Sequence, residues 1–202
     1  VAERLGIEQA QLTRVDELTE PFRLLTDDVP HVLVRSDLLL TLSPGEFQSL
    51  FALVLELARP GVRLFTMGSE EEQRRRAEAL LVAAGALDGE GSGALPGEIR
   101  ELLGSEGCAA LAESLAGFSR DPAEAAKQLH LALLGTAWRV ALLVSGELRQ
   151  VARLLTRLDE TLPKMPSAGK LEDLSDFFAS TLLLRSIAAF AISPTFLSFF
   201  DT

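Results

Sequence analysis

Apolar residues recur at helical spacing over most of this chain and alternate with polar ones only near its start. Residues 11–18 and 22–26 alternate weakly on either side of Glu20-Pro21, and His31-Val32-Leu33-Val34-Arg35 is rich in β-branched residues. That pattern predicts a small antiparallel sheet, with Asp27-Asp28-Val29-Pro30 as the turn before its last strand. Ahead of it, residues 1–7 read as the end of a short helix stopped at Gly6.

From Ser43 onward the spacing is that of helices. Ser43-Pro44-Gly45-Glu46 combines an N-cap serine, a first-turn proline and a glutamate three residues on, the arrangement of a capping box. The helix it starts should run to about Ala58, with Phe47, Leu50, Phe51, Val54, Leu57 and Ala58 on one face. Leu53 and Leu55 add apolar surface on other sides, so this helix is expected to be buried nearly all round. Arg59-Pro60-Gly61 should end it.

Ser69-Glu70-Glu71-Glu72 repeats the capping logic, and the three glutamates precede Arg74, Arg75 and Arg76 at helical spacing. The arginines are thereby matched within their own helix, which favours a solvated, self-paired face over a nucleic-acid contact. Ala77, Leu80, Leu81 and Ala84 should face inward. Asp88-Gly89-Glu90-Gly91-Ser92-Gly93 alternates oxygen-bearing residues in the manner of a calcium loop, but Ile99 stands where the closing glutamate belongs, so a plain connector is expected. Helices then follow over 97–103 and 107–117, from Asp121-Pro122 through Leu142 to a break at Ser145-Gly146-Glu147, and over 148–158. A linker with Pro163, Pro166 and Gly169 leads to an apolar C-terminal region.

Composition narrows the class. The 202 residues, 48% of them hydrophobic, suffice for a sizeable core, and a fold of the α+β class, mainly α, in a single domain over 1–202 is expected. A formal charge of −10 disfavours nucleic acid and anionic lipid as partners. The one cysteine, Cys108, forms no internal disulfide and fits a reducing, cytoplasmic setting. The start at Val1, with neither initiator Met nor leader, reads as a segment of a longer protein. Between Leu174 and Phe200 only Asp176 and Arg185 are charged, so a membrane-attached regulator using residues 174–200 is one alternative. A mid-span arginine and Pro194 favour instead a buried helix, a turn at Ser193-Pro194 and a final aromatic segment.

Leu5-Gly6-Ile7, His31-Val32-Leu33-Val34, Leu38-Leu39, Leu42-Ser43-Pro44-Gly45-Glu46 and Leu55-Glu56-Leu57-Ala58-Arg59 follow one another in the order of a family pattern. The stretch over 5–59 resembles the core of the HtpX-like and Oma-like gluzincin metallopeptidases, in which the capped helix carries His-Glu-x-x-His. Leu55 and Arg59 stand at the two metal-binding positions, and of the three functional residues Glu56 alone is kept. The family's second motif is similar to Leu134-Gly135-Thr136-Ala137-Trp138, with Leu134 and Trp138 at its acidic positions. The resemblance implies a gluzincin-like helical domain that has lost its zinc, with no cofactor and with Trp138 and Leu134 filling the former metal space. It further implies a bacterial module of the kind carried by tetratricopeptide-repeat proteins. Without a metal-bound water, hydrolysis by the family's route has no nucleophile, and Glu56 reads as a helix carboxylate held by Arg59.

Other chemistry is sparse. Cys108 and His130, with Glu56, are the members available to an enzyme with an unrecognised site, and His31 with His130 lacks a third metal ligand. Phe177, Phe178, Phe190, Phe196, Phe199 and Phe200 cluster near the C-terminus. Most of those rings should be core; exposed ones, expected among Phe190, Phe196, Phe199 and Phe200, would form a docking patch for a protein partner, with a homodimer as one form. The expectation is thus a noncatalytic interaction or scaffolding domain rather than an enzyme.

Overall fold

The computed structural model describes residues 9–25, 29–66, 68–88, 93–166 and 171–199. The helix expected over 1–7, Asp27 and Asp28 of the turn, residues 89–92 of the oxygen-rich loop, Gly169 and Phe200 lie outside them.

The fold is α+β and mainly helical. Three strands, β1 (Gln11–Val15), β2 (Phe22–Leu25) and β3 (His31–Arg35), form one sheet in the order β1-β3-β2. β2 and β3 are antiparallel, as expected, but β1 runs parallel to β3, so the sheet is mixed rather than antiparallel. The reason lies in β3. Val32 and Val34 are fully buried, so this most apolar strand takes the centre, and the weaker β1 and β2 become its edges instead of pairing with each other.

The chain then enters helices: α1 (Ser36–Thr41), α2 (Pro44–Leu57), α3 (Pro60–Thr66), α4 (Glu70–Ala83), α5 (Leu95–Leu115), α6 (Pro122–Ser145), α7 (Leu148–Leu158), α8 (Leu171–Ala179), α9 (Leu182–Ala191) and α10 (Pro194–Ser198). Both capping boxes form. Ser43 and Ser69 each accept the amide of the residue three positions on, and Glu46 and Glu72 accept the cap amides in return. Two helices were not expected from the sequence. Leu38 and its neighbours form the short helix α1, a leucine run that spacing alone assigns to neither class. Pro60 opens α3 instead of only closing the helix before it, a position where its missing N–H costs nothing.

These elements group into two compact units, Val1–Arg59 with Gly135–Thr202, and Pro60–Leu134. In the first, α2 packs on α7 and α9 packs on α7, α8 and α10. Its buried residues come from β3, from α2 (Leu50, Leu53, Val54, Leu55), from the latter part of α6 (Trp138, Leu142), and from α7 and α9 (Leu154, Leu184, Ile187). α2 is buried on most sides, as its composition requires. Leu50, Val54, Leu57 and Ala58 of the expected inward face are buried and Leu53 and Leu55 are enclosed too, whereas Phe47 is partly in solvent and stacks on Phe51 at 6.2 Å.

In the second unit, Ala77 and Leu81 of α4, Leu115 of α5, and Ala125 and Ala126 of α6 form one core, with Leu80 and Ala84 packed against it. α5 breaks at Gly104, whose φ of 65° and ψ of −175° suit glycine alone. The C-terminal run is three short helices. α8 and α9 meet at a bend of 119°, so the two do not form one straight span. Among the described residues, α6 is the one helix long and apolar enough to cross a membrane by length and composition.

Candidate functional site

The capping box at Ser43 sets the start of α2, and fourteen helical residues carry the chain to Leu57, which places Leu55 and Glu56 in the last turn. Leu55 is completely enclosed. The carboxylate of Glu56 is also buried, and its Oε2 lies 2.8 Å from Nε of Arg59, a half-exposed side chain one turn on. The pairing expected of Glu56 as a helix carboxylate is therefore present. It is a charge contact rather than an aligned hydrogen bond, because Oε2 accepts none.

Trp138 is buried on α6 in the same unit, while Leu134, one turn earlier, is half-buried at the end of the other unit. Among the described residues no group of three or more His, Cys, Asp or Glu side chains is arranged to hold a metal ion.

The members of the alternative enzyme site are distributed differently. Glu56 belongs to the first unit, and Cys108 and His130 to the second. Cys108 is half-buried on α5. His130 Nδ1 lies 3.1 Å from the Phe65 carbonyl; that oxygen accepts only, so Nδ1 carries the proton and Nε2 is the acceptor of the neutral ring. His31 is engaged elsewhere, its Nε2 2.9 Å from Thr13 Oγ1 across the β1–β3 pair.

His130 also lines a feature that the sequence did not announce, an open cleft of about 750 Å³ between the first turns of α4 and of α6. Glu71, Arg74, Ala126 and Lys127 contribute to its walls. Hydrogen bonds from Arg74 and then Arg75 hold the Glu71 carboxyl at a pKa of about 2, well below its ordinary 4.5. The signal lay in the sequence as the Ala126-Lys127 and His130 spacing on α6, but only tertiary packing brings α4 opposite it.

The C-terminal aromatics divide. Phe177 and Phe196 are buried, Phe177 edge-on to Phe178 at 5.1 Å and Phe196 edge-on to the half-buried Phe190 at 5.7 Å. Of the four rings expected at a docking patch, Phe196 is thus mainly core. Phe199 is 61% exposed, and two residues the sequence reading passed over, Ile192 at 79% and Leu197 at 51%, stand in solvent beside it in the chain. Ser193 caps α10 by accepting the Phe196 amide, directly after Ile192, the residue that ends α9.

Compared with known protein families, characterised proteins and solved structures, the chain gives no match.

Proposed function

We propose that this chain is a noncatalytic protein-interaction or scaffolding domain, descended from a zinc metallopeptidase fold whose metal-binding positions have been replaced. One observation carries the interaction reading: Ile192, Leu197 and Phe199 hold large apolar surface in water within eight residues, from the end of α9 to the end of α10. Burying each such side chain against a partner is worth about 1.5–3 kcal/mol, so a surface of this kind gains from being covered. The loss of catalysis is supported by the end of α2, where an enclosed leucine and an arginine occupy the ligand positions and the retained Glu56 is paired to Arg59. The partner is another protein, a second copy being its simplest form, and the setting is cytoplasmic.

Two measurements test this. Elemental analysis and a broad peptidase assay are expected to give no stoichiometric zinc and no activity; zinc at one equivalent, or peptidase activity abolished by Glu56→Gln, overturns the noncatalytic reading. Sedimentation of the full-length protein with and without Ile192→Ser and Phe199→Ser should show an association that the variants weaken. An unchanged assembly pattern overturns the assignment of the surface.

A further inference from the structure

Arg139 lies on α6 beside the face that α9 presents. Its Nη2 donates to Ser186 Oγ at 2.7 Å, and its guanidinium stands over the ring of Phe190, 5.8 Å from the centroid. Its Nε is enclosed and donates to nothing. Among the described residues no carboxylate comes within ion-pair distance of it, whereas Glu46, Glu56 and Glu71 each meet an arginine. A partly buried guanidinium without an acid is unusual in a chain with 29 acidic residues to supply one. A hydroxyl and an aromatic face orient this cation and leave its charge uncompensated.

The same ring that Arg139 covers touches Phe196, and Phe196 sits on α10 between Ile192 and the exposed Leu197 and Phe199. A run of side chains therefore leads from an unneutralised cation to exposed apolar surface. Resting on the interaction reading above, we infer that the α9–α10 corner with Arg139 takes a protein segment that is apolar along one side and carries a carboxylate, the acid pairing with Arg139 while apolar side chains cover Ile192, Leu197 and Phe199. Charge complementarity decides the occupant. A basic segment would meet a like charge, and a purely apolar one would enclose the guanidinium further without compensating it, the costlier outcome.

The test uses the full-length protein and short amidated peptides of identical leucine and alanine content that carry glutamate, glutamine or lysine at the same positions, with binding read by titration calorimetry. The expected order is glutamate tightest and lysine weakest, with the glutamate peptide at least about tenfold tighter than the glutamine one. Arg139→Met, which keeps the apolar stem over Phe190, should erase that difference, and Arg139→Lys should restore part of it. Phe199→Ser should weaken glutamate and glutamine peptides alike. Equal binding of all three peptides, or a glutamate preference that survives Arg139→Met, overturns the carboxylate inference and leaves the interaction reading standing. No binding by any peptide, together with self-association that is insensitive to Arg139→Met, assigns the corner to a second copy and overturns this inference as well. Near-ultraviolet dichroism from Trp138, on the same helix, checks that each variant is folded.

Discussion

Oε1 of Glu46, on the buried side of α2, lies 3.2 Å from Nε of Arg157 on α7, while Oε2 of the same carboxylate accepts the Ser43 amide at 2.8 Å. One side chain thus closes a helix N-terminus and ties that helix to its neighbour. Ser43 does likewise, its hydroxyl accepting the Glu46 amide and donating to Gln150 Oε1 at 2.9 Å. The start of α2 is consequently fixed by α7 as well as by its own cap.

Replacement of Ser43 by alanine removes both roles and should cost about 1–2 kcal/mol, at the upper end for a cap. Glu46→Gln should cost a similar amount, because the amide keeps the shape but loses the charge. Arg157 is 41% exposed at its side chain, so solvent screens the pair, and a double-mutant cycle between Glu46→Gln and Arg157→Gln should give a coupling of about 1 kcal/mol or less. Urea unfolding followed by the fluorescence of Trp138, the sole tryptophan and buried in the same unit, measures all three. A coupling well above that value would mean that the pair is shielded from water.

The first turn of α4 sets a pH dependence. Glu71 is lowered to about 2 by hydrogen bonds from Arg74 and then Arg75, and Glu72 is lowered chiefly by the Ser69 backbone amide. A carboxyl whose pKa falls on folding contributes stability that is complete above its unfolded value and is lost as pH drops through the folded one. For Glu71 that window runs from about 4.5 down to about 2. Carboxyl titration by NMR should place its midpoint near the lower value at low salt. Arg74→Met should raise it more than Arg75→Met, and added sodium chloride should raise it in the native chain, since these groups are in solvent. A midpoint at the ordinary carboxylate value would show that the arginines do not hold it.

Gly104 makes the break in α5. At φ 65° and ψ −175° a side chain is strained even though no neighbouring atom crowds its Cβ position. Gly104→Ala should therefore cost about 1–3 kcal/mol or drive the break into helix, and the two responses separate cleanly. Far-ultraviolet dichroism rises if α5 straightens; if the break persists, helicity stays level and the unfolding midpoint falls. A neutral substitution on both measures would mean that the break relaxes freely.

How legible this fold is in its sequence depends on how far each cause reaches along the chain. The two capping boxes and the Glu56–Arg59 pair were plain because their partners lie three residues apart, within one helical turn. The stop at Gly146 was plain for the same reason, a glycine at φ 69° closing α6. The parallel pairing of β1 with β3 was not, since either edge of β3 satisfies its valines and only the rest of the unit decides which strand takes which. Nor was the exposure of Phe47, since α2 is apolar on most sides and its sequence alone does not say that Leu53 is enclosed while Phe47 meets solvent. At the candidate surface, aromatic content told ring burial only in part: Phe199 is exposed, Phe196 is buried, and the exposed positions include the aliphatic Ile192 and Leu197. Arg139 gave no signal at all, because an arginine in the apolar second half of α6 looks like a solvated charge until Ser186 and Phe190 are brought beside it.

The core cluster of the second unit should be sensitive to the loss of its largest enclosed side chain. Leu81 is almost wholly enclosed in the cluster of Ala77, Leu115, Ala125 and Ala126, with larger side chains such as Leu111, Phe118 and Leu129 packed around it. Leu81→Ala should thus cost about 2–5 kcal/mol, the loss of buried apolar contact plus the void it leaves. Leu102, on α5 in the same unit, is 86% exposed, so Leu102→Ala should stay within about 0.5 kcal/mol. Native-state hydrogen exchange of the amides in α4 and in the first turns of α6 reads the difference directly. Protection there should fall by roughly a hundredfold or more in Leu81→Ala, each 1.4 kcal/mol being about a factor of ten, and hardly at all in Leu102→Ala. Equal effects from the two substitutions would mean that this cluster is not the core of the unit.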